Sequence, residues 1–231
     1  MSLDEVIEMY KENTEKIFPS WFKAFRKKFS KYALTAYSQD GLKSVLEDKE
    51  RFGNLSLTTV CDESEPSIAA AVARRHNPPD IPKLEIFDTR LHRSHSVVEV
   101  LKASACAPVF FDAPTSIGDV DYIDGGVGGN CPLAQAIPRM AELAEEDGTL
   151  GSLQGVISIA PPREAEKKGK KGRLAWLPWF ATQLTDGYPV YLDQEKGHPE
   201  AIFLRLTPQS EESQKFSMDS WKVESMIDSI R

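Results

Sequence analysis

A chain of 231 residues that is 41% apolar and 27% charged has the composition of a folded domain with a sizeable core. Its net charge of −7 argues against bulk nucleic-acid binding, which needs a basic surface, and no apolar run approaches the roughly 20 residues that span a bilayer. The acidic start at Asp4 and Glu5 is unlike a secretory signal. Cys61, Cys106 and Cys131 lie far apart without metal spacing, the usage expected of reduced thiols in a cytoplasmic protein.

Ser2 and Glu5 have capping-box spacing, and Leu3, Val6, Ile7 and Tyr10, continued by Ile17 and Phe18, fall on one helical face that Pro19 ends. Trp21, Phe22, Phe25 and Phe29 form a second aromatic stripe with Lys23, Arg26, Lys27 and Lys28 on the other faces. That pattern predicts a core helix, or alternatively a basic amphipathic helix on a membrane surface. Asp40 opens a third helix, with Leu42, Val45 and Leu46, that ends near Gly53. Residues 55–61 and 67–73 are predicted strands, residues 77–82 a Pro-rich loop and residues 84–87 a short extended piece.

His92 and His95, with Asp88 close in sequence, would suit a His-assisted nucleophile or a metal site. Arg90 and Arg93 instead suggest a solvated loop, and a third spaced ligand is missing. Ser96 and Glu99 repeat the capping-box spacing ahead of a helix with Val97, Val98, Val100 and Leu101. The helix runs into the small residues Ala103, Ser104, Ala105, Cys106 and Ala107, and Pro108 stops it. The acids Asp119, Asp121 and Asp124 invite a calcium-loop reading, but Val120, Tyr122 and Ile123 between them are strand-like. The twelfth place, where such a loop needs a bidentate Glu, holds Asn130.

The stretch from Tyr122 to Pro132 carries the most chemistry. Two apolar residues lead into Asp124, and Gly125, Gly126, Gly128 and Gly129 follow it, so a strand delivers a carboxylate to its end and turns without side-chain bulk. Sites in α/β proteins are built just past strand ends. The plainer reading is a Gly-rich turn whose Asp caps local backbone amides. Residues 132–146 then read as a helix, with a kink or restart expected at Pro138. Residues 155–160 are a continuous apolar run, the mark of a strand buried on both faces. Residues 163–173 form a charged loop ahead of Trp176, Leu177, Trp179 and Phe180, read as a surface loop entering a helix or as an interfacial anchor. Residues 201–206 are a late strand, and residues 218–230 an amphipathic helix with Trp221, Val223 and Ile227. Helices followed by strands alternating with helices predict an α/β fold with a mostly parallel sheet.

Three stretches together resemble the patatin-like phospholipase family: residues 103–111, then Ile123-Asp124-Gly125-Gly126-Val127 with Asn130-Cys131-Pro132, then residues 156–159. The opening helix is similar to the family's first helix after the nucleophile. The resemblance implies a three-layer α/β sandwich around a mostly parallel central sheet, truncated at the N-terminus. It places residues 1–137 in the C-terminal part of the catalytic domain and residues 138–231 in a strand and helix extension of the same unit. It further implies an esterase of phospholipids or acylglycerols, acting without a cofactor through a Ser–Asp dyad, at the periphery of a membrane or lipid droplet. Asp124 would be the dyad's base, Gly125 and Gly126 would give the backbone room, and Asn130 and Pro132 would fix the following helix. Cys131 stands where the family commonly has a second Asn.

The nucleophile elbow Gly-x-Ser-x-Gly occurs nowhere in the sequence, and the family's Gly-rich oxyanion loop is also absent. The chain alone is therefore expected to be inactive: a fragment of a lipid acyl hydrolase that carries the Asp but not the Ser. The alternative is a non-catalytic remnant that binds a lipid surface or a protein.

Overall fold

The computed structural model describes residues 3–19, 37–48, 52–60, 70–76, 83–108, 110–111, 114–148, 152–160 and 186–207. The stripe at residues 21–29, Cys61, the loop at 77–82, the charged and aromatic segment at 163–180 and the helix expected at 218–230 lie outside them.

Four strands form the larger sheet. β1 (Ala70–Arg75) pairs with β2 (Lys83–Asp88) on one side and β4 (Val120–Asp124) on the other, and β3 (Thr115–Ile117) pairs with β4. Every pairing in this sheet is antiparallel. Helix α1 (Leu3–Ile17) packs against α2 (Asp40–Leu46), and α3 (Val97–Ala105) lies across β1, β3 and β4. Val97, Val100 and Ala103 recur every three residues, so one face of α3 meets Ala73, Phe87, Tyr122 and Leu57 in the main core. The Tyr122 hydroxyl donates to Glu85 Oε2 at 3.0 Å; burial, together with that carboxylate, pushes its pKa up to about 12. A second cluster of Tyr37, Cys106 and Phe111, joined by Ile17, Phe18 and Leu42, ties α1 and α2 to the end of α3.

Beyond β4, α4 (Leu133–Glu146) leads to a smaller sheet in which β5 (Gly155–Ile159) and β6 (Ile202–Leu206) pair in parallel. Helix α5 (Tyr188–Gly197) lies on this sheet, with Tyr191 edge-on to Phe203 and Arg205 over the rings of Tyr188 and Tyr191. α4 packs against both α5 and β2, and so joins the two sheets.

The chain is mixed α/β as predicted, but the sheet that dominates the described residues is antiparallel rather than mostly parallel. Short connections account for two of its three pairings. Only residues 76–82 join β1 to β2, and Gly118-Asp119 alone join β3 to β4, too few for a parallel crossover of a dozen or more residues. β5 and β6 have such a crossover, with α5 in it, and are parallel. Within the strand expected at 55–61, the described residues 55–60 do not form one. Ser56 makes one isolated bridge and Leu57–Thr59 is a single helical turn, because the amides of Leu57 and Thr58 donate to His95 and Arg93 in the neighbouring loop. Ser96 makes no side-chain cap, and α4 runs without interruption through Pro138. β5 is not buried on both faces, since Ile157 and Ile159 are exposed.

Candidate active site

Asp124 is the last residue of β4 and sits opposite Ala73 of the central strand. Its amide donates to the Cys106 carbonyl at 3.0 Å, which ties the small-residue segment after α3 to the same strand end. Ser104 Oγ donates to the Val72 carbonyl at 2.8 Å. A Cβ on Gly125 would lie 2.0 Å from that same carbonyl oxygen, so only glycine permits the approach. The first two sequence stretches, 103–111 and 122–132, therefore converge on β1.

The carboxylate has two unlike oxygens. Oδ1 accepts the Gly126 amide at 2.6 Å, while Oδ2 has no hydrogen-bond partner among the described residues. Asp124 is half-buried. Burial raises its pKa above the ordinary 3.8, and the Gly126 amide only partly offsets this. A carboxylate so raised accepts a proton more readily than a surface one. The plainer turn-capping reading is thus met by one oxygen, and the other remains open to a donor.

The turn after Asp124 is held from β1. Arg74 Nη1 donates to the Val127 carbonyl at 3.2 Å, and Gly128 adopts a φ of +82° that favours glycine. Asn130 is exposed, and its Oδ1 would lie 3.4 Å from a Cβ on Gly126, which sets it beside the glycine turn. Pro132 is the residue just before α4. Cys131 is buried, and a Cβ on Gly187 would lie 2.4 Å from the Cys131 Cβ, so the loop ahead of α5 closes directly on the site loop. Residues 156–159, the third stretch, lie in the smaller sheet on β5 and are not brought to Asp124.

The histidine cluster has a structural role. Asp88 is fully buried and accepts from Arg139 Nε at 3.0 Å and from the amides of Arg90 and Leu91, each at 2.8 Å. Burial would raise its pKa, but these donors outweigh it and the net shift is downward. His92 Nδ1 accepts the Asp88 amide at 3.2 Å, and burial lowers the His92 pKa, so the ring is neutral and packs with His95 on Phe87. Asp121 accepts from Ser116 Oγ at 2.6 Å within the β3–β4 hairpin. Among the described residues no group of three or more His, Cys, Asp or Glu could hold a metal ion. Nor is any described helix long and apolar enough to cross a membrane.

Arg74, the Val72 carbonyl and Arg139 escape the sequence reading. An Arg in an Ala-rich strand carries no motif, a backbone carbonyl leaves no mark on composition, and Arg139 looks like any polar residue of an amphipathic helix.

Residues 1–137 match the family model described as patatin-like phospholipase. No curated protein matches the chain.

Proposed function

The chain belongs to the patatin-like phospholipase family, and from that premise we propose that it carries the acid half of a lipid acyl hydrolase. In this reading Asp124 is the base of a Ser–Asp dyad. Its partner serine stands in a Gly-x-Ser-x-Gly elbow on a segment outside these 231 residues. Asp124 takes the hydroxyl proton, the serine oxygen attacks the ester carbonyl, and the alcohol leaves with the proton; water then releases the acid. Gly125 and Gly126 give the backbone its close path, and Asn130 and Pro132 lead the turn into α4. Residues 1–137 form the catalytic part, residues 138–231 extend the same unit, and the complete fold is a three-layer sandwich whose remaining strands make the sheet mostly parallel. The substrate is a phospholipid or acylglycerol at a membrane or droplet surface, and no cofactor takes part.

The observation that carries this reading is the state of the carboxylate: half-buried, tied by Oδ1 to the Gly126 amide, with Oδ2 unpartnered among the described residues at the junction of two motif stretches. The test is ester release by the chain extended through its upstream coding region. Asp124→Asn should lower the rate by about 10²–10⁴-fold, the usual worth of a general base. Equal rates would remove Asp124 from the mechanism. The 231-residue chain alone should release no fatty acid, since oxyanion donors by themselves are worth about 10²–10³.

The absence of any Gly-x-Ser-x-Gly favours a second reading, a non-catalytic remnant that binds a lipid surface or a protein. An in-frame elbow upstream of Met1 supports the hydrolase, and a stop codon there supports the remnant. Failure to co-sediment with liposomes at low salt would exclude its lipid-binding form.

A further inference from the structure

Residues 156–159 are the resemblance stretch that is not brought to Asp124, and Ser158 within it has a partner of its own. Ser158 and Arg205 stand opposite each other on β5 and β6, each the last residue but one of its strand. Arg205 Nη1 donates to Ser158 Oγ at 3.0 Å. The guanidinium carbon lies 5.6 Å from the ring centre of Tyr188 and 5.3 Å from that of Tyr191, and those two rings stack 9° from parallel on α5. The cation is therefore held in one orientation between a hydroxyl and two ring faces.

None of these contacts neutralises it. Arg205 is half-buried, and it pairs with no carboxylate among the described residues. Its remaining N–H groups have no acceptor among them either. Ser158 uses its oxygen to accept from Arg205, which leaves its own proton without an acceptor among the described residues. Tyr191 is 5% exposed, yet its hydroxyl also makes no hydrogen bond among them. Burial first, and then Glu195, raise its pKa, so it stays a proton donor. The first amide of α5 is already taken, by Asp186 Oδ1 at 3.0 Å, so the open donors belong to side chains. A half-buried cation among donors, with no anion of its own, is an incomplete arrangement, since buried charges are ordinarily paired. Donors alone select an oxyanion, and a fixed guanidinium fork with a hydroxyl beside it matches the several oxygens of a phosphate group. The place fits as well, because open α/β sheets bind ligands at the carboxyl ends of their strands.

We propose that Arg205 and the Ser158 hydroxyl bind a phosphate group at the carboxyl ends of β5 and β6. Such a site needs no serine elbow, and the proposal is independent of the acyl-hydrolase reading.

The test is isothermal titration calorimetry on the full 231-residue chain in a phosphate-free buffer. The probes are inorganic phosphate, glycerol 3-phosphate and a short-chain phosphatidic acid kept below its micelle concentration. Each should bind with a Kd of about 1 mM or tighter. Phosphatidic acid binding more tightly than glycerol 3-phosphate assigns the site to a lipid headgroup, and equal affinities assign it to free phosphate; both support the proposal. Arg205→Gln should weaken every probe by about tenfold or more, and Ser158→Ala by about threefold. Arg205→Gln also strips both rings of their cation, so Arg205→Lys controls for folding. It keeps the charge but loses the fork, and should weaken binding by about threefold or more at an unchanged melting temperature. No heat from any probe, wild-type affinity in Arg205→Gln and Arg205→Lys alike, or acetate bound as tightly as phosphate would each overturn the proposal.

Discussion

Two carboxylates, Asp88 and Asp124, are shifted in opposite directions by their surroundings, and the signs lead to opposite predictions. Asp124 has a raised pKa, first because of burial. Such a group adds stability below its unfolded value of 3.8 and loses it as pH rises through the folded value. Asp124→Asn keeps an acceptor for the Gly126 amide and removes the buried charge. Its melting temperature should exceed that of the wild type at pH 7, and the gap should close below pH 3.8. A gap that is constant across pH would mean that the charge is fully solvated. Asp88 is lowered because Leu91, Arg139 and Arg90 together outweigh its burial, so its contribution is present above 3.8 and is lost as pH falls through the lower folded value. Arg139→Ala leaves that acid buried without its cation. It should cost about 3–5 kcal/mol in urea unfolding at neutral pH. A loss below 1 kcal/mol would mean that water reaches the site and replaces the guanidinium.

At the scale of elements, legibility followed how local each determinant is. The acid at a strand end with glycines behind it was readable because strand, turn and helix start are all encoded within Tyr122–Pro132. Residues 84–87 and 97–105 were readable from β-branched and aromatic content and from helical spacing. Residues 55–61 read as a strand, but the amides of Leu57 and Thr58 bond to a loop some 35 residues away, which no local pattern records. The run at 155–160 reads as doubly buried because apolar continuity reports what a strand can bury, not what lies over it. α5 was not anticipated, since its apolar residues do not hold one face beyond a turn or so. The close path at Gly125 is also non-local, set by Val72 on β1. Gly125→Ala should force β1 and β4 apart and cost about 1–3 kcal/mol, read by denaturant midpoint. A neutral effect would mean that the strand end shifts freely, and that Asp124 is not fixed by it.

Across the whole molecule, α4 is the connecting element. Its start follows the site loop, its middle is anchored to β2 through Arg139 and Asp88, and its flank packs on α5 beside the smaller sheet. The Gly187–Cys131 contact is a second junction between the two sheets. Gly187→Val should push the loop ahead of α5 off the site loop and cost about 1–3 kcal/mol, with earlier amide exchange in β5 and β6 than in β1 and β4. Simultaneous exchange in both sheets would show that they unfold as one unit. The Asp88–Arg139 anchor also gives the molecule an acid fuse. Arg139 stands seven positions after the site loop's Pro132, so neutralising Asp88 cuts the mooring of the very helix that backs the glycine turn. Asp124 titrates above 3.8 and Asp88 below it, so falling pH reaches the strand-end acid first and trips this fuse only afterwards.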